Sequence, residues 1–159
     1  MATSVPRPGE IALPFDPADR IDAGVTFIGH LSTPWRKGDC PKNLTEARAR
    51  GGRFQAHVMP PYRSGLQGLS VGDGIILMYW MADARRDLIV QAPAHHPVPR
   101  GVFALRSPAR PNPVAMACVR LLAIDAETGV LTVDALDAFD GTALLDIKPW
   151  LPGVDNIST

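Results

Sequence analysis

The side chains best suited to chemistry gather in three short stretches. In RSPARPNPVAMACVRL (Arg106–Leu121), three prolines, two arginines and an asparagine occupy eight residues, and an almost wholly apolar run follows. Proline fixes φ and removes an N–H donor, so the stretch is neither helix nor interior strand. Two permanent cations on so stiff a backbone suit an anion, because pre-ordering lowers the entropy lost on binding. In DAFDGT (Asp137–Thr142), two carboxylates precede a glycine turn, where they can accept hydrogen bonds or a proton. In Asp146-Ile147-Lys148, strand alternation puts acid and base on one face. Each stretch also has a plain structural explanation. Asp140–Gly141 is ordinary turn chemistry, Asp146 and Lys148 a surface ion pair of little worth, and both arginines solvated loop charges. Singly, those explanations are the simpler ones.

Other candidates carry less. His95 and His96 stand together between prolines, but no carboxylate or cysteine lies at ligand spacing, so a solvated loop and no metal are expected. Cys40 and Cys118 lack CxxC spacing and a histidine nearby in sequence. They read as buried or idle thiols, with a single disulfide as the alternative. Trp35, Trp80 and Trp150 have no regular spacing that would make a base-stacking platform, and Trp80 is expected in the core. The 159 residues suit one domain with its own core. Sixteen Lys and Arg balance sixteen Asp and Glu, so a nucleic-acid partner would need a local basic patch. The longest apolar run, Ile75–Ala82, is too short for a bilayer, and the N-terminus lacks a continuous apolar segment of the secretory kind. A cytoplasmic protein without membrane contact is expected.

The elements that must position these residues are mostly strands. Residues 1–22 carry four prolines and no periodicity, which predicts a loosely ordered tail before a domain spanning 23–159. Strands are predicted at Gly24–Leu31, Phe54–Met59, Ile75–Met81, Asp87–Ala92, Gly101–Leu105, Val114–Ile124, Val130–Leu136 and Ala143–Ile147. Gly72-Asp73-Gly74 reads as a turn and Ala126–Gly129 as a hairpin turn. Leu44–Arg50 is the one short helix, capped by Asn43 with Glu46 three residues on. A βαβ order is excluded because its long helical patterns are missing. The fold class expected is all-β: a small, single-sheeted β-barrel with one short helix. No GxGxxG follows a strand, so that route to a nucleotide is closed.

Two segments together go further. GVFALRSPARPNPVAMACVRL followed by LDAFDGTALLDIKPWLP resembles the two signature segments of the TsaA-like family, GVFATRSPxRPNPIG and DLxDGTPVLDIKPY. They occur in order and at the expected separation, covering about a quarter of the chain. The family contains the TrmO tRNA methyltransferases. The resemblance implies a β-barrel that binds S-adenosylmethionine, works as a homodimer, and methylates N6 of threonylcarbamoyladenosine beside the tRNA anticodon. An S-adenosylmethionine-binding module, or a small-molecule methyltransferase that leaves RNA alone, is the alternative.

Carried over position by position, the resemblance implies cofactor contacts at Pro41, Lys42 and Asn43, at Met81, Ala82 and Asp83, and at Arg106 and Met116. Asp134, Ala135, Leu136 and Asp137 complete the set. Lys42 stands where the family has arginine, so a point donor replaces a bidentate fork. No histidine stands near Ala82, Ala143 replaces a proline, and Trp150 replaces a tyrosine. Methyl transfer from a sulfonium is an in-line displacement, governed mainly by positioning and desolvation. Asp137 would accept hydrogen bonds from ribose hydroxyls or an amino group. Arg106 would meet the cofactor's carboxylate or an acidic substrate. A delocalised carbamoyl-substituted amine needs a base, and Asp140 and Asp146 are the two candidates.

Overall fold

The computed structural model describes residues 5–94 and 96–157; His95, the first four residues of the tail and the last two residues lie outside them. The strands in chain order are β1 (Ile11–Ala12), β2 (Gly29–Ser32), β3 (Phe54–Val58), β4 (Gly74–Trp80), β5 (Leu88–Gln91), β6 (Arg100–Gly101), β7 (Val114–Asp125), β8 (Val130–Val133) and β9 (Ala143–Pro149). Among the described residues, two helices, α1 (Leu44–Arg50) and α2 (Pro152–Asp155), complete the regular elements apart from three 3-10 segments. The protein is mostly β, as expected. Internal contacts divide it into two compact units: one holds the chain up to Gly24 together with Met81–Ala115, the other Val25–Trp80 and the chain from Met116 on.

The expectation of a single sheet is corrected. Six strands hydrogen-bond in the order β2–β3–β8–β7–β4–β9, and the order closes because β9 also pairs with β2. The other three form a separate antiparallel sheet, β1–β5–β6. Part of the stretch read as a loose tail therefore makes a strand, with Ile11 opposite Val90 and Leu13 N–H donating to the Asp87 carbonyl.

Alternation builds the closed sheet. Along β3, Phe54, Ala56 and Val58 are buried while Gln55 and His57 are not, the period-2 pattern of a strand with one apolar face. Leu31, Leu77, Leu121, Leu131, Val133 and Leu144 fill the same core. On β4 the register against β9 shifts between Met78 and Tyr79. Ile75, Leu77 and Tyr79 alternate into the core, Tyr79 being 2% exposed, and Trp80 is left half-buried, so Trp80 is not the core tryptophan expected. Trp35, 4% exposed, takes that place and packs its ring 5.8 Å from Phe54.

The helix at Leu44–Arg50 forms where predicted. Asn43 Oδ1 accepts the Glu46 N–H at 2.9 Å, but the Glu46 carboxylate reaches back to Lys42 N–H at 3.1 Å, one residue beyond a regular capping box. A single helix was expected; α2 is a second, opened by Pro152, and prolines likewise open the 3-10 segments Pro17–Asp19 and Pro60–Leu66. Several strand predictions are shortened. Pairing in the first begins only at Gly29, Val130–Leu136 ends at Val133, Asp87–Ala92 narrows to Leu88–Gln91, and Gly101–Leu105 is largely a 3-10 segment, Val102–Ala104. The hairpin turn holds: Gly129 has φ 75°, and Asp125 Oδ1 accepts the N–H groups of Glu127 and Thr128.

Candidate functional site

In the second unit, the candidate residues converge on the loop that follows β8. Ala135, Leu136 and Ala138 are fully buried, so the loop is anchored by its own apolar side chains. Side-chain donors then hold its carbonyls. Trp35 Nε1 donates to the Leu136 carbonyl at 2.7 Å, and Thr33 Oγ1 donates to the Ala138 carbonyl at 2.8 Å. Asp140 closes the arrangement: its Oδ1 accepts the Thr33 N–H at 3.1 Å, and its own N–H donates to the Trp35 carbonyl at 3.0 Å. A loop with its backbone groups satisfied in this way is rigid and can present a side chain in one orientation.

The side chain it presents is Asp137. The Tyr79 hydroxyl, rising from the core, donates to Asp137 Oδ1 at 2.9 Å. The segment preceding α1 lies within electrostatic reach of the same carboxylate. Burial first, and then the Asp137 charge, push the Cys40 thiol up to about 11. Cys40 immediately precedes Pro41, Lys42 and Asn43 in the chain. Asp134 fastens the two segments: its Oδ2 takes the Arg48 Nε of α1 at 2.6 Å, and its Oδ1 takes the Arg120 N–H of β7 at 2.8 Å. Met116 is exposed on the same face of β7 as Cys118 and Arg120, and the Cys118 carbonyl accepts from Arg48 Nη2 at 3.3 Å. Asn43 spends its side-chain oxygen on the helix cap.

Asp146 belongs to other surroundings. It pairs with Lys148 at 2.9 Å, both side chains being about half exposed. The two line a cleft of about 470 Å³ with Tyr62, Gln67 and Asp73, a lining that includes neither Asp137 nor Asp140.

In the first unit the proline-rich segment is pinned by side chains, because its prolines cannot donate to a ladder. Arg110 Nη2 folds back onto the carbonyls of Val102 (2.8 Å) and Leu105 (3.1 Å). Arg86 Nε donates to the Pro111 carbonyl at 2.6 Å, and Gln91 Nε2 to the Ala109 carbonyl at 2.6 Å. Arg106 is exposed. Met81 N–H donates to the Pro113 carbonyl at 2.9 Å, so the exposed turn carrying Ala82 and Asp83 is tied to the end of this segment. Arg110→Ala strands two carbonyls and is expected to cost about 1–3 kcal/mol of stability in a denaturant melt.

Both cysteines are free. With its thiol near 11, Cys40 holds about one thiolate in a thousand at pH 8, so alkylation should run at least about tenfold slower than at the exposed Cys118. Mass spectrometry of a timed iodoacetamide reaction reads the order. No group of three or more metal-ligating side chains occurs among the described residues, and no helix there is long and apolar enough to cross a membrane.

Tyr79, Trp35 and Thr33 were not picked out from the sequence. Tyr79 lies inside the apolar run IILMYWM, and the signal was chemical: a buried tyrosine needs an acceptor for its hydroxyl.

Residues 30–156 match the family model of the tRNA-methyltransferase O N-terminal domain. A probable S-adenosyl-L-methionine-binding protein of Halobacterium salinarum is 43% identical over 79% of this chain and 97% of its own length. One of Archaeoglobus fulgidus is 39% identical over 82% of this chain, which spans only 34% of that relative's length. A tRNA (adenine(37)-N6)-methyltransferase of Eikenella corrodens is 52% identical over 35% of this chain and 32% of its own. The crystal structure of TrmO from Pseudomonas aeruginosa superposes with a TM-score of 0.66 at 26% identity, covering 87% of this chain and 60% of that one. With the family model matched from the second strand to the last helix, the chain belongs to the tRNA-methyltransferase O N-terminal domain family.

Proposed function

We propose that this chain binds S-adenosylmethionine and transfers its methyl group to N6 of adenosine 37 of tRNA, in its threonylcarbamoyl form. The closed sheet is read as the family's barrel. The observation that carries the reading is the Asp137 carboxylate, braced by Tyr79 in the loop of residues 134–137 that the resemblance selects, with its charge felt at Cys40, next in the chain to the likewise selected residues 41–43. Family membership supports the cofactor, and the names of the Halobacterium and Eikenella relatives support cofactor and acceptor respectively.

The residues fit such a cofactor chemically. In the second unit, Asp137 is a held acceptor for hydroxyl or amino donors, and the buried Ala135 and Leu136 give it a rigid footing; in the first unit, the exposed Arg106 is a cation suited to a carboxylate. When bound, S-adenosylmethionine supplies the electrophilic methyl group. The protein's own part is to orient the acceptor nitrogen, exclude water and receive one proton. Asp140 is favoured over Asp146 for that proton by its place in the loop that carries Asp137. We carry forward a homodimer as the working assembly, to be checked by light scattering.

The test is methyl incorporation. Purified protein with methyl-labelled S-adenosylmethionine should label bulk tRNA from a strain lacking this protein, with the label recovered at N6 of adenosine 37. A melting temperature raised by S-adenosylmethionine reports binding separately. Binding without any incorporation into RNA would overturn the enzyme reading in favour of a binding module or a small-molecule methyltransferase. The binding-protein names of several relatives favour that second reading.

A further inference from the structure

Resting on the tRNA reading above, we propose that the exposed cations gathered around Trp35 form the surface that takes the RNA phosphate backbone. The chain as a whole is neutral, yet between residues 36 and 53 six cations (Arg36, Lys37, Lys42, Arg48, Arg50 and Arg53) face two acids, Asp39 and Glu46, a surplus of four. The rest of the chain offsets it, so the basic charge is local, as RNA binding by a neutral protein requires.

Packing around one tryptophan makes a surface of this segment. Trp35 is buried with its Nε1 on the Leu136 carbonyl. Arg36 and Lys37 follow it directly in the chain. The Arg50 guanidinium lies 4.4 Å over its ring, and Phe54, immediately after Arg53, packs against the same ring. Gly52 leaves no room for a Cβ between Pro34 and Phe54 without movement, so this return of the chain lies close against the residues before Trp35. The helix end is tied to the Arg36–Asp39 turn by Arg50 to Asp39 at 2.7 Å.

The nearby acids are already engaged. Asp39 and Glu46 face Arg50 at 2.7 and 3.9 Å, Asp134 holds Arg48, and Asp140 accepts the Thr33 N–H. Arg36, Lys37, Lys42 and Arg53 are exposed and, among the described residues, make no ion pair. Uncompensated point charges spread over an open surface suit a repeating line of single negative charges, which is what a nucleic-acid backbone presents. The Trp35–Leu136 hydrogen bond joins this surface to the loop that carries Asp137, so phosphates held here would leave a base near that loop.

The experiment compares tRNA binding by the parent and by R36A/K37A/R53A over a salt series, with S-adenosylmethionine binding measured on the same samples. Lys42 is left in place because it is also a cofactor candidate. Each lost phosphate contact removes about 0.7–0.9 from the slope of log affinity against log salt. The triple variant should therefore lose about 2–3 from the slope and at least about tenfold in affinity at low salt, while keeping its S-adenosylmethionine affinity and melting temperature. R36K/R53K should keep the parent's salt slope, because the slope counts neutralised phosphates and lysine carries the same charge. A triple variant that matches the parent's tRNA affinity and slope overturns the surface while leaving the tRNA reading intact. A parent that binds S-adenosylmethionine but no tRNA overturns both.

Discussion

Replacing Asp137 by alanine should weaken S-adenosylmethionine binding by about 2–5 kcal/mol, the loss expected when one partner of a desolvated, hydrogen-bonded charged contact is removed. The loss should have a second component in the unliganded protein. Tyr79 is 2% exposed and its hydroxyl donates to Asp137, so removing the carboxylate takes away the acceptor of that bond at about 1–3 kcal/mol of stability. The double variant Tyr79→Phe/Asp137→Ala removes donor and acceptor together and should recover much of that stability without recovering the ligand. Arg106→Ala, a change at an exposed position, should weaken binding by a similar 2–5 kcal/mol while leaving stability within about 1 kcal/mol. Titration calorimetry alongside denaturant melts separates the two components. Parent-like affinity in both single variants would remove the cofactor assignment from these residues.

Trp35→Ala should be the most damaging single change to the fold. It deletes a buried aromatic ring, the hydrogen bond to the Leu136 carbonyl and the seat of the Arg50 guanidinium. Large-to-small changes of this kind cost about 3–5 kcal/mol, which for a chain of this size lowers the melting temperature by roughly 6–20 °C. The damage should spread to residues 134–142, whose carbonyls Trp35 and Thr33 hold, and should show as faster hydrogen exchange there than in β3. Trp35→Phe keeps most of the packing and loses the donor, so its cost should be about 1–3 kcal/mol. A fall of less than about 2 °C for Trp35→Ala would mean that the loop is held by its apolar side chains alone.

Much of the strand content was legible because alternation is a local signal. Phe54-Gln55-Ala56-His57-Val58 and Val130–Val133 announce an inner and an outer face whatever they pair with. What alternation cannot give is the partner. The pairing of Ile11 with Val90 spans about half of the chain, and two residues carry too little pattern to stand out from a proline-rich stretch. The half-buried state of Trp80 was hidden for a related reason: a continuous apolar run looks the same whichever side chains turn inward. At the site, the stiffness of the proline-rich stretch was legible in its composition, whereas the part Arg110 plays in it, folding back onto two carbonyls, depends on contacts that composition does not show. Trp35 was not legible either, because its partner Leu136 lies 101 residues away.

The way the strands are bounded also bears on how the protein behaves at high concentration. Unpaired strand edges invite chains to add to one another, and a sheet whose order closes has none to offer. The remaining edges belong to β1 and β6, each two residues long, and β6 carries the exposed Arg100. Templates so short, one of them charged, are poor seeds for cross-strand aggregation. Copies of this chain should therefore meet through side chains rather than shared backbone ladders, and crowded solutions should stay free of fibrillar precipitate.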